Sequence, residues 1–193
     1  MLILLLGLAI FLTNHSVRLV APGWREGFIA EYGEKTWKLL YSVFSIAGLV
    51  LIVYGYGLSR SDPVFVWNPP LATRHVAALL VLLAFILLAA ASIKGNHFKA
   101  KLGHPMYAGV KLWAFAHLIA NGRLGDILLF GAFLAWAIAG FSINRRRDRL
   151  AGVAPVAANG KQTMIAVVAG TVAWAVFTFW LHRLLIGVPP ISM

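Results

Sequence analysis

The amino-acid sequence predicts an all-α fold, an integral-membrane bundle of about six transmembrane helices in one domain spanning residues 1–193. Three observations predict it. Of the 193 residues 61% are hydrophobic and 12% charged, against about 45–50% and about 25% in ordinary globular chains, so polar surface is too scarce to coat a water-facing shell. The apolar residues run on without strand-type alternation, and a backbone in lipid must satisfy its own polar groups, which selects helices. Clusters of Pro, Gly and Asn punctuate the runs at spacings that suit helix ends.

A hydrocarbon core about 30 Å thick asks for about 20 apolar helical residues. The first such run is Met1–Val20, closed by Pro22-Gly23. It lacks the basic start and small-residue cleavage site of a secretory signal, so it reads as a span. Trp37–Gly57 follows, then Pro69-Pro70 and a third span at His75–Ile93. The fourth, Pro105–Ala120, opens on a proline preorganised for a first helical turn and stops at Asn121-Gly122. Leu124–Ile143 is the fifth, the polar run Asn144–Lys161 reads as a loop, and Thr163–Ile186 is the sixth.

The net charge of +11 comes from 17 Lys+Arg against 6 Asp+Glu. These cations lie between apolar runs, which speaks for membrane orientation and against a nucleic-acid partner. Loops one, three and five carry Arg18, Arg25, Lys35, Lys38, Lys94, Lys99, Lys101, Arg145, Arg146, Arg147, Arg149 and Lys161; the other side has Arg60, Arg74, Arg123 and Arg183. Twelve against four places the odd loops in the cytoplasm and both termini outside it. The Arg145–Arg149 cluster reads as a topology anchor on anionic lipid. With no cysteine, disulfides, iron–sulfur clusters and thiolate chemistry are excluded.

Ionisable side chains inside a bilayer are costly, by about 2.5–3.5 kcal/mol for a charged one, so they are candidates for function. His15, flanked by Asn14, Ser16 and Arg18, lies roughly 21 Å along the first span. Its plain reading is an interfacial histidine bonded to a backbone carbonyl or water. His117 sits among apolar neighbours roughly 18 Å past Pro105. A neutral imidazole must place one donor and one acceptor, so a partner from another helix, a metal or a cofactor is expected there. Two histidines on different helices suit axial ligation of haem iron. His104, ahead of Pro105, starts a helix whose N-terminus can hold an anion such as a propionate. His97 reads as solvated, His75 and His182 as helix-end residues. Lys111 is expected to snorkel or to pair with Asp126 or Glu34.

The chain also resembles a known family. His104-Pro105-Met106-Tyr107-Ala108-Gly109, then Trp113, Ala116-His117-Leu118, Ala120-Asn121-Gly122 and Leu129-Phe130-Gly131, look like the NnrU family of bacterial membrane proteins. His15-Ser16, Gly33-Glu34, Leu40-Tyr41-Ser42 and Leu49–Gly57 follow the family's order. The resemblance implies a bacterial inner membrane and a link to nitrite and nitric oxide reduction. It also implies similarity to the plant zeta-carotene isomerase, which uses haem b to isomerise a cis double bond. It matches the proposed iron ligands of the isomerase to His15 and His117; to these the residue reading adds His104 and Arg18 as further cofactor-binding residues. A cysteine that the isomerase carries three residues before its second histidine is Ala114 here.

With loop one inside, His15 comes about 9 Å and His117 about 18 Å from the cytoplasmic edge, a mismatch that would make His104 the better-levelled partner. Three functions follow: a haem-dependent isomerase or redox protein acting on a hydrophobic polyene, a non-enzymatic assembly or haem-handling partner of a nitrogen-oxide reductase, and a membrane methyltransferase. The last rests on His104, Pro105, Tyr107 and Gly109, a pattern such enzymes share, but no Asp or Glu follows Asp148 to help hold S-adenosylmethionine.

Overall fold

The apolar runs form long helices in a computed structural model that describes residues 1–190. They are α1 (Leu2–Val20), α2 (Pro22–Tyr32), α3 (Glu34–Ser61), α4 (Leu71–Ser92), α5 (His97–Leu102), α6 (Pro105–Ala120), α7 (Leu124–Leu150), α8 (Gly160–Val176) and α9 (His182–Ile186). A π-helical turn, Phe177–Leu181, joins the last two into one rod. The described residues contain no strand, only the isolated bridge Phe65–Arg123.

Five helices are long and apolar enough to cross a membrane: α1, α3, α4, α7 and the rod Gly160–Ile186. The expected six are therefore corrected to five. With 16 residues α6 is only about 24 Å long, short of a hydrocarbon core of about 30 Å. It nevertheless runs antiparallel to α4 and α7 inside the bundle. Loop one is the helix α2, whose Trp24, Phe28 and Tyr32 fall one turn apart, with Trp24 and Phe28 meeting Trp37 of α3 and Tyr32 packing on Phe28. The supposed loop after Ile143 continues as α7 to Leu150, because no Pro or Gly interrupts it and arginine favours both helix and helix C-terminus.

The helices pack side by side in the order α3, α1, α7, α6, α4, α8, with α3 also touching α7. Lipid tails offer no hydrophobic gain for joining helices, so close van der Waals contact at small residues must do it. Between α1 and α3, a Cβ on Gly7 would lie 2.6 Å from the Ile52 backbone nitrogen and one on Gly48 2.9 Å from that of Phe11, while one on Gly55 would overlap the backbone of Leu4. Gly170 of α8 abuts Ile86 of α4 in the same way.

Polar contacts gather at the two ends. At one, Arg147 donates to the carbonyls of Arg18 and Leu19, the His104 imidazole to Asp148, and the Asn159 amide to the Gly95 carbonyl. Loops one, three and five thus share one end of the bundle. At the other, the Val66 and Trp67 amides donate to the Gly122 carbonyl, Leu124 donates to that of Val64, and Arg60 caps Ile186 at 2.6 Å. Asn96, fully buried, caps α5 and donates to the carbonyls of Ala90 and Ile93.

Replacing Gly55 or Gly170 by Leu is expected to destabilise the bundle by about 1–3 kcal/mol or more, as overpacking does. Thermal unfolding in detergent checks this, with Gly57→Leu, where a Cβ meets nothing within 4 Å, remaining near wild type.

Candidate functional site

The helix α7 is flanked by α1 and α6, which do not pack on each other. Phe133, on α7, touches Phe11 of α1 at 5.8 Å between ring centroids and Trp113 of α6 at 5.6 Å. His15 and His117 belong to the two flanking helices.

Both histidines are held alike. The Nδ1–H of His15 donates to the Phe11 carbonyl and that of His117 to the Trp113 carbonyl, each at 2.8 Å and each one helical turn back. A carbonyl only accepts, so Nδ1 carries a proton, and in the neutral ring Nε2 then has the free lone pair. His15 stacks on Phe11 at 4.0 Å, and His117 on Phe130 of α7 at 4.4 Å. The plain expectation for His15, a backbone carbonyl partner, is thus met. For His117 it is the donor half that differs from expectation: its own helix supplies the carbonyl, because α-helical geometry puts a residue's ring over the preceding turn.

Levels along α7 follow from its side chains. His15 meets Trp136 edge-on at 6.4 Å, His117 meets Phe130, and His104 bonds Asp148 at 2.8 Å. At 1.5 Å per residue His117 lies about 9 Å from His15 along α7 and His104 about 18 Å. The idea that His104 is the better-levelled partner is therefore corrected, since α6 begins at the far basic end of α7. The His104 Nε2–H is also spent on Asp148. Arg18, exposed, forms no side-chain hydrogen bond or ion pair among the described residues, but its carbonyl accepts from Arg147.

The other polar residues have structural partners. His97 donates through its backbone N–H to the Thr163 hydroxyl at 3.0 Å, which ties the third loop to α8. His182 donates to the Val188 carbonyl, and His75 is exposed. Lys111 pairs with neither Asp126 nor Glu34: its ammonium sits 3.9 Å from the centroid of the Phe141 ring. The methyltransferase-like motif is used for packing, with Pro105 in the first turn of α6, Tyr107 against Gly140 and Gly109 against Ala84 and Leu88.

Two features escaped sequence reasoning. Asp126, 3% exposed in the first turn of α7, accepts a 2.6 Å hydrogen bond from the Tyr56 hydroxyl of α3. This bond ties the first turn of α7 to α3. The second is Trp136: among the described residues its Nε1–H is the buried side-chain polar atom without a hydrogen-bond partner, a state that costs about 1–3 kcal/mol. A lone acid in an apolar run signals the first, whereas nothing local distinguishes Trp136 from the other tryptophans. No group of three or more His, Asp or Glu residues suited to hold a metal ion occurs among the described residues.

A family model described as NnrU protein matches residues 3–190. No curated protein and no solved structure matches the chain.

Replacing Tyr56 by Phe leaves the Asp126 carboxylate buried without its donor and is expected to cost about 1–3 kcal/mol of stability. Combined with Asp126→Asn, the loss should be less than additive in detergent unfolding, because one bond is being removed twice.

Proposed function

The chain belongs to the NnrU family, and from that premise we propose that it is an integral-membrane haem b protein whose iron is ligated by His15 and His117. The observation that carries this reading is the matched state of the two imidazoles, one from each helix beside α7, each with Nδ1–H engaged by a carbonyl and Nε2 available. Haem ligands and other metal-bound histidines need that arrangement, because the second hydrogen bond sets the tautomer, fixes the ring and raises its basicity.

The donor set fits a porphyrin. His15 of α1 and His117 of α6, offset by about 9 Å along α7, are the residues that would hold its iron. The rings of Phe11, Phe133 and Trp113, in contact from α1 across α7 to α6, would supply apolar surface to the porphyrin. When bound, haem b supplies a one-electron centre whose potential depends on its ligands and burial.

The residues themselves do three things. Phe11 and Trp113 carbonyls orient the imidazoles, Phe11 and Phe130 stack on their rings, and the apolar outer faces of the helices let a lipid-soluble substrate approach from the bilayer. This suits a redox protein or a haem-dependent isomerase of a hydrophobic polyene, coupled in the cell to nitrite and nitric oxide reduction. The packing uses of His104, Tyr107 and Gly109 count against methyl transfer.

In the bacterial inner membrane the shared end of loops one, three and five, with its excess of Lys and Arg, faces the cytoplasm. An alkaline phosphatase reporter fused after residue 190 should therefore be active, and one placed in the 151–159 loop inactive; the reverse pattern would invert the topology.

The haem reading is tested by absorption spectra of the detergent-purified chain, oxidised and dithionite-reduced. A Soret band with sharp reduced α and β bands is expected, lost or shifted in both His15→Ala and His117→Ala and retained in His104→Ala. A wild type that stays colourless when haem is added refutes it.

A further inference from the structure

Trp136 stands out because its indole N–H is buried without an acceptor among the described residues, and native proteins rarely leave such a group unused. Its ring lies edge-on to His15 at 6.4 Å and 5.0 Å from Tyr107, which packs on Gly140 one turn further along α7. Trp136 is therefore held in place from two helices. It borders the imidazole whose Nε2 is open, on the side of Phe133 that leads towards the basic end.

No acid of this chain is placed to take the proton. Asp148 accepts from His104, Asp126 accepts from Tyr56 at the opposite end of α7, Glu26, Glu31 and Glu34 lie in and beside α2, and Asp62 follows α3. The surrounding charge favours an anion. Arg18 is one turn past His15 without an ion pair among the described residues, and the arginines Arg145–Arg149 crowd the same end.

We propose that Trp136 is a cofactor-binding residue whose indole N–H donates to a carboxylate of the group held at His15. This rests on the haem b reading, in which that carboxylate is a porphyrin propionate, and it orients the macrocycle with its propionates towards the basic end. Arg18 supplies the charge and Trp136 the directed hydrogen bond, so a ligand without free carboxylates loses both.

The test titrates the purified full-length chain in detergent with haem b and with its dimethyl ester, for wild type and Trp136→Phe. Wild type is expected to bind haem b about tenfold more tightly than the ester, and Trp136→Phe, which keeps a ring of similar shape, to lose most of that preference while still binding both. As a readout independent of the substitution, the ultraviolet resonance Raman band that reports indole hydrogen bonding should shift when haem b is added to wild type and stay put with the ester. An unchanged preference in Trp136→Phe, or an indole band that responds equally to both porphyrins, overturns the role of Trp136 alone. If wild type binds neither porphyrin, the haem reading falls and this role with it.

Discussion

Backbone contact at glycine holds this bundle together, and every other feature depends on it. In lipid the helices gain nothing by hiding leucines from one another, so stability comes from atoms in van der Waals contact. Gly7, Gly48 and Gly55 let α1 and α3 touch along their length, and Gly170 seats α8 on α4. The pair α1–α3 then packs on one side of α7 and α6–α4–α8 on the other. Side chains larger than hydrogen at these points would separate the helices and move His15 and His117 with them.

The central place of α7 follows. It contributes Phe130 and Trp136 to the histidines, Phe133 to Phe11 and Trp113, Asp126 to Tyr56, Asp148 to His104 and Arg147 to the end of α1. Its polar residues lie at its two ends and its aromatic ones between, which matches a helix crossing a bilayer. The chain therefore gathers its candidate site around one rigid element, where a ring position is set by packing between helices and not by loop conformation. The shorter α6 is followed directly by the pairing of the 64–67 segment with Gly122 and Leu124, which closes that end of the bundle.

The hydrophobic runs made most of the fold legible. Helix starts at Leu71, Pro105 and Leu124 fall close to those read from proline and glycine, and the uneven distribution of Lys and Arg anticipated which loops share an end. Loop one was misread because α2 is only moderately apolar, and its helical pattern of Trp24, Phe28 and Tyr32 is amphipathic over just eleven residues. The extent of α7 was misread because a run of arginines resembles a loop by charge while favouring helix by propensity.

For the site, the sequence by itself determined that His15 and His117 are ionisable groups on separate apolar helices, because burial cost makes such residues conspicuous whatever the fold. Only the tertiary structure decided their heights along α7, the commitment of His104 to Asp148, the Tyr56–Asp126 pair and the unspent N–H of Trp136. Each of these depends on the register between helices distant in sequence. Register is set by which small residues let two backbones meet, a property of pairs of surfaces that no single stretch of sequence displays.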